Sequence, residues 1–187
     1  MRDNSTMHFL ERLELDQMEN DWTAPDEFPD LTNCKYIAID LETRDPNLMK
    51  MGSGSVRGDG EIVGIAVAVE GWSGYFPIAH EGGGNMDRAL VLDWFEEVLH
   101  TTATKIFHNA MYDVSWIRSL GFHINGGIID TMIAASLVNE NRYRFDLNSL
   151  GWDYVGQGKN ETELNILTYN GKSLNPMKIY RKSTNIK

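Results

Sequence analysis

Short apolar runs separated by turn-forming residues open the chain, and runs at helical spacing follow them. A strand turns successive side chains to opposite faces, whereas a helix returns every third or fourth residue to one face. The two patterns therefore predict strands first and helices afterwards. Lys35–Leu41 is the first predicted strand. Ile62–Val69 and Trp72–Ala79 are the second and third, joined at Glu70-Gly71 by a tight turn that makes them a hairpin. "RALVLDWFEEVLH" is a helix capped by Asn85 or Asp87, with Leu90, Trp94 and Val98 at helical spacing. "TKIFHNA" gives a fourth strand ending at His108-Asn109, and "YDVSWIRSLG" a helix stopped by Gly121. "GGIIDTMIAASLVN" reads as a short strand, an Asp130 or Thr131 cap and a helix; "DLNSLGWDYVG" is a last helix opening at Asp146. Three strands, helix, strand, helix, short strand, helix is an α/β order, with a mixed sheet, an early antiparallel hairpin and flanking helices.

Charge divides the chain further. Residues 1–34 form a polar lead-in, with an amphipathic piece at His8–Met18 and the acidic, proline-bearing "TAPDEFPD". The core-forming pattern covers residues 35–164. Residues 165–187 are a basic, divergent tail: five of the chain's 17 Lys and Arg residues lie there and none of its 27 Asp and Glu. The formal net charge of the 187 residues is −10, so a broad basic surface for nucleic acid is not expected. Any nucleic acid would be held locally, through metal ions on carboxylates. A chain of this length buries roughly 70% of its unfolded surface and needs no staple to hold a core. Cys34 is the sole cysteine, which excludes an internal disulfide and a cysteine metal site. No apolar run nears the ~20 residues of a membrane span, and the first residues lack a signal-peptide core. The expected location is the cytoplasm.

The candidate chemistry begins in "YIAIDLET". Asp40 and Glu42 sit two apart where an apolar strand ends, so both face one side of it. Neighbouring carboxylates repel unless a cation lies between them. Mg²⁺ and Mn²⁺ prefer carboxylate oxygen, and two-metal sites hold ions roughly 4 Å apart. A third acid is needed nearby. Asp113, four residues after Asn109 at the start of a helix, would face back over the strand ends. Taken singly, a solvated strand end or loop cap for Asp40 and Glu42, and a favourable helix-terminal charge for Asp113, are the commoner reasons for such acids.

"IAIDLET", a hairpin and helix, then "HNAMYD" and "DTMIAASLVN" together resemble the proofreading 3′→5′ exonuclease domain of family A DNA polymerases, in the style of bacteriophage enzymes. The resemblance covers roughly Asp21 to Leu164. It implies an RNase H-like fold with a five-stranded sheet. It implies two divalent metal ions, Mg²⁺ or Mn²⁺, bound by the catalytic acids Asp40, Glu42 and Asp113. By the same resemblance Thr43, Asn109 and Tyr112 touch the 3′-terminal nucleotide of single-stranded DNA. The implied partners are that DNA end and a downstream polymerase polypeptide, with no membrane.

One part of the family pattern is missing. A third motif, Tyr-x-x-x-Asp or His-x-x-x-x-Asp, supplies a fourth acid. Here Tyr143, Tyr154, Tyr169 and Tyr180 are followed four positions on by Leu147, Gly158, Ser173 and Thr184, and His123 five positions on by Ile128. His108 and Asp113 have the second spacing themselves; the other acid would then be Asp59, Asp87 or Asp93. Asn109 and Tyr112 favour the second motif at that place. The change to a basic, Asn-rich run after "GKNETEL" is expected to mark an interrupted reading frame; a basic tail that contacts phosphates is the alternative. With three carboxylates the second metal is held poorly, and activity is expected to be weak or absent. Asp146 or Asp153 standing in, or a separate chain supplying the acid, would restore it. The other function class is a non-catalytic nucleic-acid- or partner-binding module with the same fold, which would ignore metal removal. "GDG" and "EGGGN" read as turns. The tryptophans are expected mostly in the core and Met49 and Met51 in a mobile loop. His80, His100 and His123 show no ligand pattern.

Overall fold

The computed structural model describes residues 23–81 and 84–157. The amphipathic piece at His8–Met18 and the tail over 165–187 lie outside the described residues. Five strands form one sheet of order β3-β2-β1-β4-β5. They are β1 (Tyr36–Arg44), β2 (Glu61–Val69), β3 (Trp72–Pro77), β4 (Thr104–Phe107) and β5 (Ile128–Asp130). β1 and β2 pair antiparallel, as do β2 and β3; β4 runs parallel to β1, and β5 parallel to β4. The hairpin turn places Val69 opposite Trp72, and Gly71 takes φ +81°, a conformation glycine adopts without steric cost. The expected mixed sheet with an early hairpin is the sheet observed.

β1 runs three residues beyond its expected end. Past Leu41 it keeps pairing with β2 as far as Arg44↔Glu61, with a register shift between Glu42 and Thr43. Asp40 and Glu42 are therefore inside the strand rather than at its end. Ladder hydrogen bonds to β2 hold the backbone extended whatever the side chains, which is why the charged residues masked the continuation. The following loop holds two single-turn helices, α1 (Leu48–Met51) and α2 (Gly54–Arg57). Asp45 organises it: its carboxylate accepts the Gly54 N–H at 2.7 Å and meets Arg57 at 3.3 Å. Ser55 then bonds Ser115 at 2.8 Å, tying the loop to the helix after β4.

Helix α3 (Arg88–His100) begins at Asp87, whose side chain accepts the N–H groups of Ala89 and Leu90. It lays Val91, Trp94, Phe95, Val98 and Leu99 against Ile37, Ile39, Leu41, Ile65, Val67 and Phe76 of the sheet. Those sheet residues share a face because Ile39 pairs with Val67 and Leu41 with Ile65. The lead-in joins this core. Leu31 is buried, Phe28 stacks on Phe76 at 5.7 Å, and Trp94 Nε1 donates to the Pro29 carbonyl at 3.0 Å. Helix α4 (Ala110–Ser119) adds Trp116 and Ile117. Helices α5 (Thr131–Val138) and α6 (Leu147–Val155) follow β5. Trp94 and Trp116 are core residues as expected, but Trp152 on α6 is 60% exposed. Its helical spacing marked a face without saying what the face meets.

Lys105 on β4 is fully buried, and its ammonium donates to Thr101 O (2.6 Å), Thr101 Oγ1 (3.0 Å) and Asn125 O (3.0 Å). It thereby satisfies the carbonyl at the end of α3 and one in the loop before β5. Lys105→Met leaves those acceptors buried and unpaired, which costs about 2–3 kcal/mol. A urea unfolding midpoint lowered without change in slope is the expected result.

Candidate active site

Cross-strand partners point to the same face. Asp40 is level with Ala66, and Ala66 with Tyr75; Glu42 is level with Gly64, and Gly64 with Pro77. The face opposite the α3 core therefore carries both acids, beside the smallest residues of β2. That opening is filled by Tyr75, whose ring leans over Gly64: a Cβ built there would fall 1.8 Å from the Tyr75 hydroxyl.

Asp113 reaches the same place from α4. β1 pairs with β4 only as far as Ala38↔Ile106, so the far part of this edge of β1 has no strand beside it. The Leu41 N–H points off that edge and donates to Asp113 Oδ1 at 3.0 Å. Asp113 is 3% exposed. Burial first, and then the charge of Asp40, push its carboxyl up to about 7; the Leu41 N–H opposes the shift and Glu42 adds to it. The three acids therefore converge electrostatically on one edge of the central strand.

The helix that carries Asp113 begins at Ala110, two residues earlier than its apolar spacing indicates. The reason is the turn before it. Asn109 has φ +67°, the one positive-φ residue other than glycine among the described residues, and Asn tolerates this left-handed conformation better than most. Asp130 holds the turn from across β5. Its carboxylate accepts N–H from Asn109 (3.1 Å), Ala110 (2.8 Å) and Met132 (2.9 Å), with Ile133 at 3.4 Å. Burial raises the Asp130 carboxyl, but those N–H groups outweigh it and hold the group below the usual carboxylate range. Asp130 is thus both the cap of α5 and the clamp on the turn that aims α4. Asp130→Ala is expected to cost about 2–3 kcal/mol of unfolding free energy. A thermal midpoint within 1 °C of wild type would contradict this role.

Thr43 and Tyr112 meet on the strand–helix boundary, their hydroxyls 2.7 Å apart. Tyr112 also lies edge-on to Trp116, with ring centroids 6.4 Å apart. Asn109, Tyr112 and Asp113 are thus presented by one turn, with Thr43 opposite them. The other acids weighed from the sequence lie elsewhere. Asp59 pairs with Arg57, Asp87 caps α3 and Asp93 lies within α3. Asp146 accepts the Ser149 N–H at 3.0 Å, and Asp153 pairs with Arg142 at 2.5 Å. His108 Nδ1 is 2.8 Å from Thr131 Oγ1, which itself donates to the Phe107 carbonyl. Met49 is 95% exposed at the tip of the loop that Ser55 ties down.

The donor set, carboxylate oxygens alone, suits a hard divalent cation. The carboxyl held up by neighbouring negative charge is what such a cation would relieve. Among the described residues, no group of three or more His, Cys, Asp or Glu is arranged so that it could hold a metal ion as it stands.

Two buried residues at this site are given no role by the sequence: Tyr75 does not stand out, and His80 shows no ligand pattern. Tyr75 and His80 are 2% and 5% exposed, and the Tyr75 hydroxyl bonds His80 Nε2. Burial, then the charges of Glu42 and Asp40, push the Tyr75 phenol far above its usual range, and burial lowers the His80 pKa. The available signal was Gly64 inside "IVGIAVAV": a glycine within a strand marks a close approach.

A mixed sheet of this order, flanked by helices, is the RNase H-like fold of 3′–5′ exonucleases. A family model described as 3′–5′ exonuclease matches residues 20–180, and the chain belongs to that family, the exonuclease domain of A-type DNA polymerases. A DNA-directed DNA polymerase of Pseudomonas phage M6 is 33% identical over 165 residues, which is 84% of this chain and 25% of that protein. The chain thus spans a quarter of that relative's length. Among solved structures, Brucella melitensis NrnC with bound Mg²⁺ shares the fold at TM-score 0.56 and 17% identity, over 87% of this chain and 71% of the other. Escherichia coli RNase D, an exoribonuclease involved in structured RNA processing, does so at 0.51 and 16%, over 72% and 31%. No helix among the described residues is long and apolar enough to cross a membrane.

Proposed function

We propose that this exonuclease-family domain removes nucleotides from the 3′ end of single-stranded DNA, using two Mg²⁺ or Mn²⁺ ions on Asp40, Glu42 and Asp113, as the proofreading part of a DNA polymerase. The observation that carries the reading is the Asp113 carboxylate, buried against the Leu41 N–H and raised by the charges of Asp40 and Glu42. Asp40, Glu42 and Asp113 would hold the divalent ions, which would lower the pKa of a water and offset negative charge at the phosphodiester. The chain's own residues do the rest. The Leu41 N–H fixes one oxygen of Asp113. The Thr43–Tyr112 hydroxyl pair and Asn109 form the wall against which the terminal nucleotide rests. The net charge of −10 fits a partner held at one end, through metal ions, rather than along a phosphate track. Family membership and the Mg²⁺ in a neighbour of the same fold support this reading.

With three carboxylates in place of four, the expected result is at most slow Mg²⁺- or Mn²⁺-dependent shortening of a 5′-labelled single-stranded oligonucleotide from its 3′ end, lost with EDTA and in Asp40→Ala/Glu42→Ala. A second reading has its own support, since no three-acid cage stands preformed among the described residues. A nucleic-acid-binding module without catalysis would bind the oligonucleotide equally well in EDTA and in the double variant. Adding the polymerase polypeptide to the assay tests whether a further chain completes the site.

A further inference from the structure

We propose that Tyr75 and His80 form a positioning pair for the β1 carboxylates: His80 donates its Nε2–H to the Tyr75 oxygen, and Tyr75 turns its hydroxyl proton towards Glu42. The inference rests on the metal-carboxylate reading above and deepens it.

The geometry starts with Gly64. Tyr75 is level with Ala66, but its side chain leans along the sheet and ends over Gly64, the cross-strand partner of Glu42. The missing side chain at Gly64 is what lets a phenol arrive beside Glu42 from within the protein. His80 then fixes the phenol from the other side. Its own backbone is clamped in both directions by Asn85, with Oδ1 accepting the His80 N–H and Nδ2 donating to the His80 carbonyl, each at 2.8 Å.

The direction of the proton chain follows from the second ring nitrogen. His80 Nδ1 is buried and has no hydrogen-bond partner among the described residues. An orphaned buried N–H is rarer and costlier than an under-used acceptor. Nδ1 therefore carries the lone pair and Nε2 carries the proton. With Nε2–H donating, the Tyr75 oxygen is the acceptor and the phenol proton points away from the imidazole. The negative charges that act on this hydroxyl are those of Glu42 and Asp40. A neutral phenol beside two carboxylates is a hydrogen-bond donor. At 2% exposure the hydroxyl does not reach substrate, so it acts through Glu42 by fixing the carboxylate's orientation.

Two measurements on the full chain test the pair. Two-bond ¹⁵N–¹H correlation of histidine-labelled protein is expected to show His80 as the Nε2–H tautomer; the Nδ1–H tautomer would overturn the assignment. Mn²⁺ titration of the wild type, Tyr75→Phe and Asp40→Ala is the second. Tyr75→Phe keeps the ring but removes the hydroxyl, which leaves the buried His80 Nε2–H without its acceptor, so its thermal midpoint should fall by a few degrees, while loss of the bond to Glu42 should raise its Mn²⁺ dissociation constant about tenfold. Equal affinity in Tyr75→Phe and wild type, with binding lost in Asp40→Ala, overturns the pair and leaves the metal reading standing. A wild type that binds no Mn²⁺ sinks the metal reading, and the pair as a positioner for it.

Discussion

Asp113→Asn is expected to stabilise the metal-free chain and to remove its divalent-metal binding in the same variant. The wild-type carboxyl is raised from 3.8 to about 7, by burial and then by Asp40. An acid raised in the folded state favours folding at low pH. Between about pH 4 and 7 the folded chain holds a proton that the unfolded chain has lost, so stability falls as pH climbs through that window and levels off above it. A shift of about three units corresponds to about 4 kcal/mol at pH 8. Asn is neutral at every pH, nearly the same size, and its Oδ1 can keep the Leu41 N–H bond. The variant should therefore melt about 10 °C higher than wild type at pH 8 and show almost no advantage at pH 4. Without the third carboxylate, metal affinity should drop by at least about 100-fold. Calorimetry at the two pH values, with and without Mn²⁺, checks both halves. An Asn variant less stable than wild type at pH 8 would show that the buried charge is compensated.

Gly64→Ala is the second large effect, and it reads a different feature. The added Cβ would lie 1.8 Å from the Tyr75 hydroxyl oxygen and 2.3 Å from Cζ. Tyr75 cannot swing aside cheaply, because it is buried and bonded to His80. The cost expected is about 3 kcal/mol or more. The cause is testable by coupling. In a Tyr75→Ala background the obstruction is gone, and Gly64→Ala should be neutral or slightly stabilising, since Ala suits a strand interior better than Gly. A double-variant cycle in urea therefore predicts a strong interaction energy of favourable sign. Additive costs would place the Gly64 requirement in the backbone instead of the phenol.

The sheet was legible because its signals are local. A two-residue turn at Glu70-Gly71 fixes a hairpin, and an apolar helix between short apolar runs fixes a parallel return. Element ends were less legible wherever tertiary bonds set them. Nothing near Leu41 in the sequence shows that β2 keeps β1 extended to Arg44. Nothing near Asn109 shows that Asp130, 21 residues later, holds a left-handed turn and starts α4 at Ala110. The acids Asp40, Glu42 and Asp113 stood out as residue types, yet the burial of Asp113 depends on β4 ending early, which spacing does not encode. The pairing of Tyr75 with His80, a histidine without a ligand pattern in the sequence, was illegible for a related reason: a period-two pattern assigns a face to Tyr75 but not the diagonal lean that Gly64 permits. Trp152 shows the converse, a large apolar residue at helical spacing that the described residues leave largely uncovered.

The Leu41 amide gives the site a resident gauge. It points off the far part of the β1 edge, where β4 no longer pairs, and its acceptor is a single carboxylate oxygen, Asp113 Oδ1. Its solvent-exchange rate and proton chemical shift therefore follow the state of that one oxygen, protonated, ionised or shared with a cation. Ile37, earlier on the same strand, lies level with Lys105 of β4 and supplies an internal reference. A backbone resonance in the central strand can thus follow occupancy of the acidic cluster in real time, without a label, a substrate or a turnover.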